Sequence, residues 1–111
     1  MKVCITAETE SIDGKIDSRF GRAPFLIVFD TDEDHVDVFK NPSLSQSGGA
    51  GGHTAQFLNT KDVKTVLTGH VGPNAATALK AAGISVATGV TGTVKSAWER
   101  FKSGELVSAP L

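Results

Sequence analysis

The stretch Lys64–Thr88, "KTVLTGHVGPNAATALKAAGISVAT", carries the pattern that decides the fold. Lys64–Gly69 reads as a strand of mixed pattern. Gly72-Pro73 opens a helix, with Pro73 at the first helical position, where a missing N–H costs nothing. Ala75, Ala78, Leu79 and Ala82 recur at i, i+3, i+4, i+7 and mark its buried stripe. Gly83 suits the residue that stops a helix, and Ile84–Thr88 is the next strand. Strand, helix and strand together make a βαβ unit, whose crossover should be right-handed.

The flanks fit that unit. Upstream, His53–Lys61 reads as a short helix. Before it runs "SQSGGAGGHT", Ser45–Thr54, where Gly48, Gly49, Gly51 and Gly52 fall within five residues. "FLIVFD" (Phe25–Asp30) and "HVDVFK" (His35–Lys40), joined by "TDED", read as a hairpin. In "KVCITA" (Lys2–Ala7), Val3, Ile5 and Ala7 face one way and Cys4 and Thr6 the other. Neither side is strongly polar, as in a central strand covered on both faces. Glu8–Pro24 is a polar loop too long for a simple turn, and such loops are often functional. Downstream, Thr93 can cap a last helix in which Val94, Ala97, Trp98 and Phe101 repeat the helical spacing. Gly104 ends it, and the tail "ELVSAPL" is expected to be loosely held. The order β-β-β-α-β-α-β-α implies an α/β fold, a mixed five-stranded sheet with helices on both faces.

Size and composition set the bounds. A chain of 111 residues is expected to form one domain (residues 1–111) with a real core. Its net charge of −1 gives no general pull toward nucleic acid or membrane. No apolar run could span a bilayer, and the N-terminus enters a strand pattern with no signal-peptide core. One cysteine excludes an internal disulfide and a multi-cysteine metal cage, and it fits a cytoplasmic location.

In open α/β sheets, ligands sit beyond the carboxyl ends of the strands, where helix N-termini converge. Three segments meet that condition: the loop carrying Arg19, Phe20, Gly21 and Arg22, the glycine run, and "TGHVGPN" (Thr68–Asn74) with Gly69, His70 and Gly72. Unpaired N–H groups and glycine nests there would bind an anion. The glycine run is not a Walker A loop, because no Lys-Ser/Thr follows, so a flexible connector and a ligand loop both stay open. His53 and His70, both at helix entries, are candidate metal ligands; His35 belongs to the outer hairpin and Cys4 to the core. No carboxylates sit on the first strand for a two-metal nuclease, and no Ser-His-Asp or Cys-His arrangement or Gly-x-Ser-x-Gly elbow stands out. A binding or carrier domain is favoured over an enzyme.

Three segments, "MKVCITAE", "SRFGRAPFLIVFD" and "GHVGPNAATALKAAGISVATGVTGTV", resemble the dinitrogenase iron–molybdenum cofactor biosynthesis family, which includes NifX-type carriers and the C-terminal region of NifB-type proteins. Phe20-Gly21-Arg22-Ala23-Pro24 and the Gly69–Ala75 step are the most specific pieces. The resemblance implies a ribonuclease-H-like fold and transient binding of a metal–sulfide cluster, molybdenum with iron or, in some small relatives, copper. It also implies cluster donor and acceptor proteins as partners. Many relatives carry histidine before Phe-Gly-Arg, whereas here Arg19 stands there. That difference favours a non-covalent mode, in which arginines and helix N-termini hold a polyanion screened by Phe20, and His53 or His70 adds at most one bond. The other reading is a module for a phosphorylated small molecule or nucleotide at the same crevice.

Overall fold

A computed structural model describes residues 1–45 and 49–111. It shows five strands, β1 (Lys2–Ala7), β2 (Phe25–Asp30), β3 (Val36–Lys40), β4 (Val63–Leu67) and β5 (Ser85–Ala87). Three helices accompany them, α1 (Ala50–Thr60), α2 (Pro73–Ala81) and α3 (Val94–Lys102), with a short 3-10 turn at Pro42–Ser45. The strands form one mixed sheet in the order β3-β2-β1-β4-β5. The hairpin partners are antiparallel, with Ile5 opposite Ile27 and Ile27 opposite Val38. The βαβ strands are parallel, with Ile5 beside Leu67 and Leu67 beside Ala87.

Alternation along β1 divides the core as the sequence implies. Cys4 joins Leu26, Val28, Val66 and Val86 under α1 and α2, which contribute Ala55, Leu58, Ala75 and Leu79. Val3, Ile5 and Ala7 join Ile27, Phe29 and Leu67 under α3, which contributes Val94 and Ala97. Trp98 completes that side by stacking on Phe29 at 4.6 Å between ring centroids. Pro73 begins α2, and the Thr93 hydroxyl caps α3 by accepting from the Ser96 N–H at 3.1 Å. Gly83, at φ +70°, follows the C-cap of α2, a conformation that an L side chain rarely adopts.

Two segments differ from expectation. The first helix starts at Ala50, not His53, so Gly51 and Gly52 lie in its first turn. Glycine weakens a helix by about 1 kcal/mol, which is why the run reads as a loop. Close packing overrides that preference, since a Cβ on Gly51 would stand 2.5 Å from Ala75 Cβ. The tail is not loose. Ala109 and Val86 exchange backbone hydrogen bonds of 2.9 and 3.0 Å, Ser108 meets Ser85 at 3.0 Å, and Leu106 packs on the α3 side of the core.

Candidate functional site

The carboxyl ends of β1 and β4 release the two loops that build the site, and these loops are tied to each other. Ser18 O accepts from His70 N at 2.7 Å, and His70 O accepts from Phe20 N at 3.2 Å, a parallel bridge between the loops. A Cβ on Gly69 would fall 2.7 Å from Ser18 Cα, so only glycine lets the loops approach this closely. Beneath them, Thr6 Oγ1 donates to Asp17 O at 2.7 Å and meets Thr68 Oγ1 at 2.7 Å.

Beside this tie lies a crevice of about 250 Å³ lined by Gly21, Arg22, Gly49, Ala50, Gly51, Gly72, Pro73, Asn74 and Ala75. It is the place where the N-termini of α1 and α2 meet. Both begin on glycine, Gly49 and Gly72, with no side-chain cap and no acidic residue in the first turn. Their leading N–H groups and positive dipole ends therefore keep their capacity for an anion. Gly49 is left-handed, at φ +69°, and is followed by helical Ala50, a combination that turns successive N–H groups into one concavity. The helix on the opposite face, α3, carries an ordinary threonine cap. Among the described residues of the lining Arg22 supplies the only charge, and it is positive.

Arg19 lies outside the crevice lining, two residues before Gly21 in the chain, on a built support. Asp17, buried at 4% exposure, accepts from Arg19 N at 2.9 Å, Nε at 3.0 Å and Nη2 at 2.8 Å. These bonds, the guanidinium's above all, hold the Asp17 carboxyl below its ordinary value despite burial. The pair fixes one edge of the guanidinium and leaves its side chain 63% exposed.

The remaining candidates separate clearly. Phe20 is 1% exposed and belongs to the core under α1 and α2, so it anchors the loop and screens nothing at the surface. Gly21 and Gly51 serve close approach, because a Cβ on Gly21 would lie 2.7 Å from Gly51 N. Gly52 and Gly72 face open space instead, with nothing within 4 Å of an added Cβ. His53 and His70 are exposed and lie outside the crevice lining. Gly48 lies outside the described residues. Cys4 is fully buried, and burial pushes its thiol pKa far up, which removes it as a ligand. Among the described residues no three His, Cys, Asp or Glu side chains group as a metal cage. The arrangement therefore offers N–H donors and arginine, a fit to an anion's outer atoms rather than to bare metal.

Sequence reasoning missed two residues, Asp17 and Asn41. The only local sign of Asp17 is its position two before Arg19, and "DSR" reads as ordinary surface. Asn41 reads as a turn residue before Pro42, yet it is 3% exposed and fully hydrogen-bonded.

Known proteins give a consistent placement. The apo form of the orange protein from Desulfovibrio gigas is 40% identical, with a TM-score of 0.92 over 97% of this chain and 92% of that one. The NMR structure of a Thermotoga protein provisionally assigned as NifB is 32% identical, with a TM-score of 0.85 over 99% of this chain and 94% of that one. A search of curated protein sequences finds no match. The profile of the dinitrogenase iron–molybdenum cofactor family matches residues 1–104. Fold, sequence and the two paired loops thus lead to one statement: the chain belongs to the dinitrogenase iron–molybdenum cofactor family.

Proposed function

We propose that this protein binds and hands on a small metal–sulfide polyanion, molybdenum with iron or copper, and acts as a carrier rather than an enzyme. One observation carries the reading. Two uncapped, glycine-led helix N-termini and Arg22 converge on a crevice with no carboxylate among the described residues that line it. Donors of this kind bind the sulfide surface of a cluster without ligating its metals. The family's link to iron–molybdenum cofactor and a relative described as an apo form support a cargo that comes and goes.

A phosphorylated small molecule would use the same N–H groups. The crevice is smaller than the roughly 300–1,000 Å³ of pockets that enclose larger ligands. Among the described residues no aromatic ring lines it to stack on a base. Both points favour a compact inorganic anion.

The test is anaerobic reconstitution with tetrathiomolybdate plus copper or iron. The expected result is a coloured, stoichiometric complex whose affinity falls as salt rises. Replacing Arg19 and Arg22 together by alanine should weaken binding roughly tenfold or more and flatten the salt dependence. Failure of every such cluster to bind, with nucleotide or phosphate shifting the amides of Gly49–Gly51, Gly72, Asn74 and Ala75 instead, would replace this reading by the second.

A further inference from the structure

We propose that Asn41 is a positioning residue that sets the separation of the crevice walls. This rests on the reading of the crevice as the anion site. One wall is the loop with Gly21 and Arg22; the other is the first turn of α1. The Asn41 side chain lies between them. Its Nδ2 donates to Gly21 O at 3.3 Å and to Ala23 O at 2.9 Å. Its Oδ1 accepts from Ser43 N at 3.0 Å and from Thr54 Oγ1 at 3.1 Å. A primary amide has two donors and two acceptor lone pairs, and all four are used.

The network continues into the helix. Thr54 Oγ1 also lies 2.9 Å from Ala50 O and 2.8 Å from Ser43 Oγ. Thr54 has one proton, shared between Ala50 O and Asn41 Oδ1, while the Ser43 hydroxyl supplies the other link. Asn41 N donates to Pro24 O at 3.0 Å, next to the Phe25–Lys40 pairing of β2 and β3. The side-chain amide thus ties the Arg22 loop to the start of α1, and the backbone N–H of the same residue ties both to the sheet. Aspartate has the same shape but no donors for the two carbonyls. Leucine would strand polar atoms on both walls. N–H groups that bind by geometry need their supports held to a fraction of an ångström.

The experiment compares Asn41→Asp with Val3→Ala, a core truncation on the α3 face that lowers stability without touching the crevice. In the ligand-free protein, ¹H–¹⁵N shifts should move at both Gly21–Ala23 and Ala50–Thr54 in Asn41→Asp and at neither in Val3→Ala. Lowering the pH protonates the introduced carboxyl and restores one donor, so those shifts should partly return toward wild type. With tetrathiomolybdate and copper, Asn41→Asp should bind at least tenfold more weakly and with an altered visible circular dichroism band. Val3→Ala should keep both. Shifts confined to one wall, or unchanged affinity and dichroism despite loosened walls, would overturn the proposal. If wild type binds no cluster, the proposed cargo fails, and the ligand-free comparison alone decides whether Asn41 couples the walls.

Discussion

Asp17 and Arg19 show how unequal two members of an ion pair can be. The carboxylate is buried with three N–H donors on it, while the guanidinium it holds faces solvent. Because Asp17 titrates below its unfolded value of about 3.9, its contribution to stability is complete from roughly pH 5 upward. It is lost as pH falls through the depressed native value. Asp17→Asn should lower the melting midpoint at pH 7 by roughly 5 °C. It should also shrink the loss of stability between pH 5 and 2.5, as followed by urea titration. An equal acid sensitivity in the variant would assign that slope to other carboxylates. None of this was legible in the sequence. Arg19 was visible as a candidate, but its orientation depends on Asp17 being buried under the bridged loops, and burial of a lone aspartate has no periodic signature.

At the scale of elements, adjacent glycines in α1 carry opposite meanings. Gly51 is pressed against Ala75, whereas Gly52 has open space around it and an ordinary helical backbone. Gly52→Ala should raise stability by about 0.5–1 kcal/mol through helix propensity alone. Gly51→Ala should lower it by about 1–3 kcal/mol, because overpacking between α1 and α2 exceeds the same propensity gain. Chemical denaturation of the two variants checks the reversal of sign. The strands, α2 and α3 were legible because period and punctuation agree: Pro73 at the start of α2, Thr93 at the cap of α3, Gly83 and Gly104 beyond their ends. The start of α1 was not, since local propensity and tertiary packing oppose each other there. The tail was misread for a related reason: its anchor is a backbone exchange with Val86, which any residue at 109 except proline could make.

For the molecule as a whole, sheet and layers follow from patterns within short windows, whereas the crevice is assembled from residues 21–22, 49–51 and 72–75. The sequence points to each segment, but their contact is a property of the folded chain. With a net charge of −1, the protein exerts no overall pull on a polyanion, so the proposed capture would rest on the local field of two helix ends and Arg22. The C-terminal bridge has a consequence for assembly. A sheet has two rims, and Ala109 occupies both backbone groups of the central residue of the three-residue β5. The β3 rim, with Val36 and Val38 about 40% exposed, has no strand beyond it among the described residues. Extension by strand pairing can then join two copies rim to rim but cannot propagate, because a growing ribbon requires two free rims per copy. Where strand pairing is the contact, sedimentation should show nothing larger than a dimer, while removal of residues 107–111 should permit longer species. Residues 107–111 would then act as a terminator of strand-by-strand growth, set at the opposite end of the sheet from the β3 rim.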